Sequence, residues 1–101
     1  MISCHIRYEI DPNKVDEFEV YAKMWIPLVK KFGGVHHGYF LPCEGKNYEA
    51  FAVFSFESLA VYEQYRTDSF KDEDCLKAFE YAKQNGIILK VERQFMRPVL
   101  E

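Results

Sequence analysis

The first ten residues alternate between apolar and polar side chains with a period of two. The apolar set occupies the even positions from Ile2 to Ile10, and the polar set occupies the odd positions from Ser3 to Glu9. Successive side chains of a β-strand point to opposite faces of a sheet, so this period predicts a strand with one buried face over residues 1–10.

An amphipathic helix is predicted next, over residues 12–32. Apolar residues from Val15 to Phe32 recur at spacings of three and four, which places them on one face of a helix. Asp11 is suited to cap the start of this helix and Pro12 to occupy its first turn. Pro27 removes one backbone hydrogen bond, so we expect it to bend the last turns.

The rest of the chain is predicted to form three strands and two more helices. In order, we expect a strand from Val35 to Cys43, a turn from Glu44 to Asn47, a strand from Tyr48 to Phe56, a helix starting at Ser58, a break from Thr67 to Ser69, a helix capped by Asp72 and ended by Gly86, and a strand from Ile87 to Leu100.

The order of these elements is βαββαβ, with the second helix split in two, in a single domain over residues 1–101. It predicts an α+β, ferredoxin-like fold whose helices cover one face of a four-stranded antiparallel sheet. The third strand is apolar on both sides, so a lone chain would expose Phe51 and Val53 on the uncovered face. We therefore expect a homodimer in which two such sheets face each other.

Composition and charge exclude several classes of partner. The net charge is -3 at pH 7 and the basic residues are interspersed with acidic ones, so we expect no nucleic-acid partner. No apolar run approaches the roughly 20 residues of a membrane span, and the N-terminus lacks the features of a leader peptide. Three scattered cysteines indicate reduced thiols rather than a disulfide framework. We expect a cytoplasmic protein without a membrane partner.

Short motifs distributed along almost the whole chain make it resemble the NIPSNAP family, within the dimeric α/β-barrel superfamily. The motifs that carry the resemblance are Arg7-Tyr8, Gly34, Gly38-Tyr39-Phe40, Glu44-Gly45, Phe56-Glu57-Ser58-Leu59 with Tyr62, Tyr65-Arg66-Thr67-Asp68, and Arg97-Pro98.

The resemblance implies a homodimer with two facing sheets and a ligand pocket between sheet and helices. It implies no settled reaction, because the biochemical role of the family is poorly defined. The superfamily also contains small monooxygenases, haem-degrading enzymes and polyketide cyclases, but transferring one of those activities here would rest on fold analogy alone.

His36 and His37 are the candidate catalytic residues. Adjacent residues of a strand point to opposite faces, so the two imidazoles are not expected to share a metal ion, and no zinc-binding spacing is present. Either ring is suited to act as a general base, or to be a hydrogen-bonded structural histidine. No glycine-rich nucleotide motif and no motif for haem is found, so we expect no cofactor.

A second candidate set consists of Tyr62 and Arg66, which lie one helical turn apart, of Tyr39 on the second strand, and of either His36 or His37, whichever faces the helices. If a pocket lies between the sheet and the second helix, these residues are expected to bind a carboxylate or an enol. Ordinary packing of the tyrosine rings is the alternative.

A third candidate set, His5, Arg7 and Glu92, is expected on the uncovered face of the sheet. These side chains would form either a polar network between two subunits or a site for an anion.

The leading hypothesis is therefore a NIPSNAP-like homodimer of unassigned role that binds a small organic ligand between sheet and helices. One alternative is a cofactor-free monooxygenase or polyketide-cyclase-like enzyme with a strand-two histidine as base, and another is a structural interaction module. The sequence leaves open whether the protein is an enzyme.

Overall fold

The computed structural model describes residues 1–100, which form a four-stranded antiparallel sheet with helices on one face. The sheet order is β2-β3-β1-β4, as expected for a ferredoxin-like fold. The elements are β1 (Ile2–Ile10), a 3₁₀ turn (Pro12–Lys14), α1 (Val15–Lys31), β2 (Val35–Phe40), β3 (Glu49–Phe56), α2 (Leu59–Ser69), α3 (Glu73–Asn85) and β4 (Ile88–Met96).

Strand β1 lies at the centre of the sheet and confirms the period-two prediction. Its even residues from Cys4 to Ile10 are buried under the helices, whereas His5, Arg7 and Glu9 lie on the other face and are half-buried. β1 pairs with β3 on one side and with β4 on the other. The face that carries the odd residues of β1 has no helix over it, and we call it the open face.

Local signals in the sequence determine where the helices begin and end. Asp11 accepts a hydrogen bond from the Asn13 backbone N–H at the 3₁₀ turn. Ser58 caps α2, and Asp72 caps α3 by accepting from the Cys75 backbone N–H. Gly86 ends α3 in the left-handed conformation that glycine adopts without steric cost. α1 runs through Pro27 to Lys31, so the predicted long helix is confirmed, while the bend stays a prediction.

Gly34 allows the end of α1 to approach the sheet closely. A Cβ atom at this position would lie 2.7 Å from both Phe56 Cζ and Val29 Cγ1, and both of those side chains are buried. Only a glycine therefore lets the chain pass from α1 into β2 while Val29 packs on β3.

Several predicted boundaries were wrong by a few residues. α2 continues through the predicted break at Thr67 and Ser69, and the helix accommodates their hydroxyl groups, which donate to backbone carbonyls of the preceding turn. β2 ends at Phe40, just before the segment that contains Pro42, and β4 ends at Met96 rather than at Leu100. None of the described helices is long and apolar enough to cross a membrane.

Strand β4 is only sparsely covered on either face. Its residues from Leu89 to Met96 are all exposed, although they pair with the buried strand β1. α2 packs mainly on β3, and α3 packs on α1 rather than on the sheet. The helix layer therefore leaves the helix side of β4 largely open.

Candidate functional site

A cavity of about 50 Å³ lies between the sheet and the helices. We call it the tyrosine–arginine cavity, because five tyrosines and two arginines contribute to its wall and no acidic residue among residues 1–100 does. Its lining residues are Ile6, Tyr8, Tyr21, Trp25, Val29, Tyr39, Phe54, Tyr62, Tyr65, Arg66, Phe79 and Arg93.

The tyrosines of this cavity keep their protons at neutral pH. Burial raises the pKa of Tyr8, of Tyr39 and of Tyr65 far above the ordinary value of 10.0. The pKa of Tyr62 is also raised by burial, against the opposing charges of Arg93 and Arg66. A protonated tyrosine can donate a hydrogen bond, so the wall of the cavity is rich in neutral donors.

The two arginines come from different elements. Arg66 follows Tyr62 by one turn on α2, and its guanidinium carbon lies 5.2 Å from the centroid of the Phe70 ring. Arg93 pairs with Ile6 across β1 and β4, so it lies on the helix side of the sheet. Within residues 1–100 neither arginine forms an ion pair. Both charges are therefore available to an anion at the cavity.

His36 lies on the helix side of β2, next to the cavity but outside its lining. Its ring stacks on that of Tyr39 at 4.9 Å between centroids. Its Nδ1 accepts a hydrogen bond of 2.9 Å from the Gly38 backbone N–H, so the proton of the neutral ring belongs on Nε2. Nε2 is buried and has no hydrogen-bond partner in the described part of the chain.

Burial, aided by the charge of His37, lowers the pKa of His36 from 6.5 to about 4. The ring is therefore neutral at pH 7, and its one lone pair is engaged by the backbone. In this arrangement His36 is a hydrogen-bond donor through Nε2 rather than a general base.

His37 lies on the opposite side of the sheet, as its adjacency to His36 predicts. The pairing of β2 with β3 skips from His36 opposite Phe54 to Gly38 opposite Val53, so His37 is the extra residue of a β-bulge. Its Nε2 lies 2.8 Å from the Ser55 hydroxyl on the open face.

His5 has a matching contact on the neighbouring strand. Its Nε2 lies 2.9 Å from the Ser3 hydroxyl, which also contacts the Met96 carbonyl oxygen at 3.3 Å. Ser3 and Ser55 are directly opposed across β1 and β3. The two histidines and two serines therefore form one row on the open face, along a groove of about 480 Å³.

Arg7 is the centre of a charge cluster on the same face. Its guanidinium lies 2.7 Å from Glu49 Oε2, 3.1 Å from Glu92 Oε1 and 3.2 Å from Glu9 Oε1. Hydrogen bonds to Glu49 and then to Glu9 raise the pKa of Arg7. Because three carboxylates already surround it, Arg7 is better suited to a structural network than to binding a further anion.

The structure thus brings together part of the candidate set. Tyr39, Tyr62 and Arg66 line one cavity, as the sequence suggested. His37, His5, Arg7 and Glu92 lie on the open face, and His36 lies beside the cavity. Within residues 1–100 no group of three or more His, Cys, Asp or Glu side chains is placed to hold a metal ion.

Sequence reasoning missed Arg93. Val91, Arg93 and Phe95 alternate with polar residues, and the expected contact of Lys90 and Glu92 with the open face would have placed Arg93 on the helix side. The alternation of side chains along β4 was therefore the sequence signal that could have placed Arg93 beside the cavity.

Comparison with known proteins agrees with the family resemblance found in the sequence and with the fold seen in the structure. The family model described as NIPSNAP matches residues 5–100. No curated protein matches the chain.

Several solved structures match over nearly the whole chain. A NIPSNAP family protein with unknown function from Agrobacterium tumefaciens is 20% identical, with a TM-score of 0.83, and the match covers 97% of this chain and 87% of that one. An uncharacterized NIPSNAP-like domain protein from Burkholderia xenovorans is 18% identical, with a TM-score of 0.79 and coverages of 97% and 84%. A candidate antibiotic biosynthesis monooxygenase from Nitrosomonas europaea is 6% identical, with a TM-score of 0.76 and coverages of 99% and 100%. At these identities the likeness concerns the fold.

Proposed function

The chain belongs to the NIPSNAP family, and from that premise we propose that it binds a small acidic organic ligand in the tyrosine–arginine cavity. The observation that carries the proposal is the chemistry of the wall, which in the described part of the chain consists of protonated tyrosines and two arginines without ion-pair partners and contains no carboxylate. Such a wall donates hydrogen bonds and supplies positive charge, so it favours a ligand whose head is a carboxylate or an enol.

The size of the cavity restricts what enters it. A volume of about 50 Å³ holds about two water molecules, well below the 300–1,000 Å³ of a site that encloses a whole organic ligand. The ligand head therefore enters the cavity, and any larger body stays outside it.

A thermal-shift panel tests the proposal, because a ligand that binds only the native state raises the melting temperature. The probes are benzoate, the enol-forming diketone acetylacetone, and benzylamine as a cationic control. Benzoate or acetylacetone should stabilise the wild type, and benzylamine should not.

The variant that identifies the site combines Tyr62→Phe with Arg66→Ala, which removes one donor and one charge from the cavity. A matched control combines Lys77→Ala with Tyr81→Phe, a cation and a phenol one turn apart on α3 and outside the cavity lining. The shift should vanish in the first variant and persist in the control. An unchanged shift in the first variant would contradict the proposed site and favour the group of His5, Arg7 and Glu92.

The second candidate function is a cofactor-free enzyme that abstracts a proton from an enolisable substrate, as a monooxygenase or cyclase of this fold would require. The contact of His36 with Tyr39 beside the cavity favours it, whereas the engaged lone pair and lowered pKa of His36 oppose it. Deuterium uptake at the α-carbon of acetone, followed by NMR for the wild type and for His36→Gln and His37→Gln, distinguishes the two functions. Uptake that is no faster than in buffer would count against this second function, and a panel without any binding probe would favour a structural interaction module.

The proposal includes a homodimer formed through the open face. Phe51 is 41% exposed there, and Val35, Phe40 and Met96 are exposed on the same side of the sheet. A second sheet packed on this face would remove these apolar side chains from water. The proposed location is the cytoplasm, where the three free cysteines would stay reduced.

A further inference from the structure

The helix side of β4 carries a short apolar strip that the helices of residues 1–100 leave partly in solvent. The strip consists of Val91 and Phe95, with Arg93 between them. Val91 is 42% exposed and Phe95 is 38% exposed, although their partners on β1, Tyr8 and Cys4, are buried. Two apolar side chains on the core-facing side of a sheet are thus left in contact with solvent.

This strip adjoins the tyrosine–arginine cavity. Arg93 belongs to the lining of the cavity and to the strip. The ring of Phe95 meets the ring of Tyr62, another lining residue, edge to face at 4.8 Å between centroids. A molecule whose head contacts Arg93 would therefore lie over Val91 or Phe95 as soon as it extended out of the cavity.

The two arginines of the cavity lining define the head of such a molecule. Arg66 and Arg93 have no ion-pair partner within residues 1–100, and the cavity lining contains no carboxylate that would repel an anion. We infer that the ligand is an amphipathic carboxylate, with its head between Arg66 and Arg93 and its apolar body over Val91 and Phe95. This inference rests on the proposed function, because it extends the same site outward.

A series of straight-chain carboxylates tests the inference by isothermal titration. Butyrate, hexanoate and octanoate have the same head and differ only in apolar length. One fully buried CH₂ group contributes about 0.8 kcal/mol, and the strip covers a chain on one side only, so affinity should increase about twofold per CH₂, or about 16-fold from butyrate to octanoate. Octylamine, with the same body and the opposite charge, should not bind.

Two substitutions separate the body of the ligand from its head. Val91→Ser combined with Phe95→Ser should flatten the dependence of affinity on chain length, whereas Arg93→Gln should weaken all three carboxylates by a similar factor. Val20→Ser is the matched control, because Val20 is an exposed apolar residue on α1. The control should keep the wild-type dependence on chain length.

The outcomes distinguish this inference from the proposed function. If butyrate binds through Arg66 but octanoate binds no more tightly, the inference is overturned and the proposed function stands. If no straight-chain carboxylate binds the wild type, the inference is overturned, and the proposed function is overturned as well only if benzoate and acetylacetone also fail to raise the melting temperature. If the double serine variant keeps the dependence on chain length, or if sedimentation shows that it dissociates a dimer, the strip contacts something other than the ligand body and the inference is again overturned.

Discussion

Lys31 Nζ lies 2.6 Å from Asp72 Oδ1, and this contact joins the last residue of α1 to the N-cap of α3. The same carboxylate accepts a hydrogen bond of 3.0 Å from the Cys75 backbone N–H through its other oxygen. The hydrogen bond from Lys31 has the largest effect on the pKa of Asp72. Together with the hydrogen bond from the Cys75 backbone it lowers this pKa from 3.8 to about 2. One exposed ion pair thus links two helices and one helix cap.

The first prediction concerns the pH dependence of stability. A carboxylate whose pKa is lower in the folded state stabilises the protein above its unfolded pKa, and this stabilisation is lost as pH falls through the folded pKa. For Asp72 the loss should occur between about pH 4 and about pH 2. Melting temperatures of the wild type and of Asp72→Asn should therefore differ at pH 6 and converge near pH 2. A constant difference across this range would contradict the role of the charge.

A second prediction concerns the protonation of His36. Burial lowers its pKa to about 4, so at pH 7 the ring should be neutral, with its proton on Nε2 because Gly38 donates to Nδ1. Nitrogen-15 NMR of the ring should show this tautomer and a titration midpoint near 4. Because the native state resists protonation of this ring, its contribution to stability should decline as pH falls from about 6.5 to about 4. A midpoint near 6.5 would show that the ring is hydrated.

Trp25 provides a test of the core. It was predicted on the buried stripe of α1, and the structure confirms this, since the side chain is 6% exposed. Trp25→Ala should lower the free energy of unfolding in urea by about 3–5 kcal/mol, because it leaves a large cavity. The neighbouring exposed residue Ile26 is the control, and Ile26→Ala should have a far smaller effect. Strong quenching of wild-type Trp fluorescence by iodide would contradict the burial.

The dimer proposal predicts a clear difference between two surface substitutions. Phe51→Asp introduces a charge at the exposed centre of the open face, whereas Val20→Asp introduces the same charge on α1. In sedimentation at micromolar concentration the first variant should be monomeric or unfolded, and the second should match a dimeric wild type. A wild type that sediments as a monomer would refute the dimer.

The fold could be predicted from the sequence because its signals are local. The alternation in β1, the spacing of apolar residues in α1 and the capping residues Ser58 and Asp72 each act within a few positions. The break between α2 and α3 was misplaced because Thr67 and Ser69 are common in turns, whereas here their hydroxyls bond to the preceding turn of the helix.

The candidate site was less accessible to sequence reasoning because it depends on register. Tyr62 and Arg66 could be paired by helical spacing, but which strand residues would face them depends on how β1, β3 and β4 align. Tyr8 was assigned to the core as an apolar position of β1, and Arg93 was treated as part of a long apolar strand. Strand parity could have placed Arg93 on the helix side, but its place in the cavity lining depends on its pairing with Ile6 across β1 and β4.

The bulge at His37 has a consequence for how the length of this chain can vary. Because His36 is opposite Phe54 and Gly38 is opposite Val53, deletion of His37 would turn the bulge into a regular ladder. Tyr39 would still pair with Ala52 and would still face the helices. Relatives with one residue fewer at this point can therefore keep the same core, and an alignment gap here would mark the loss of one open-face imidazole rather than a change of fold.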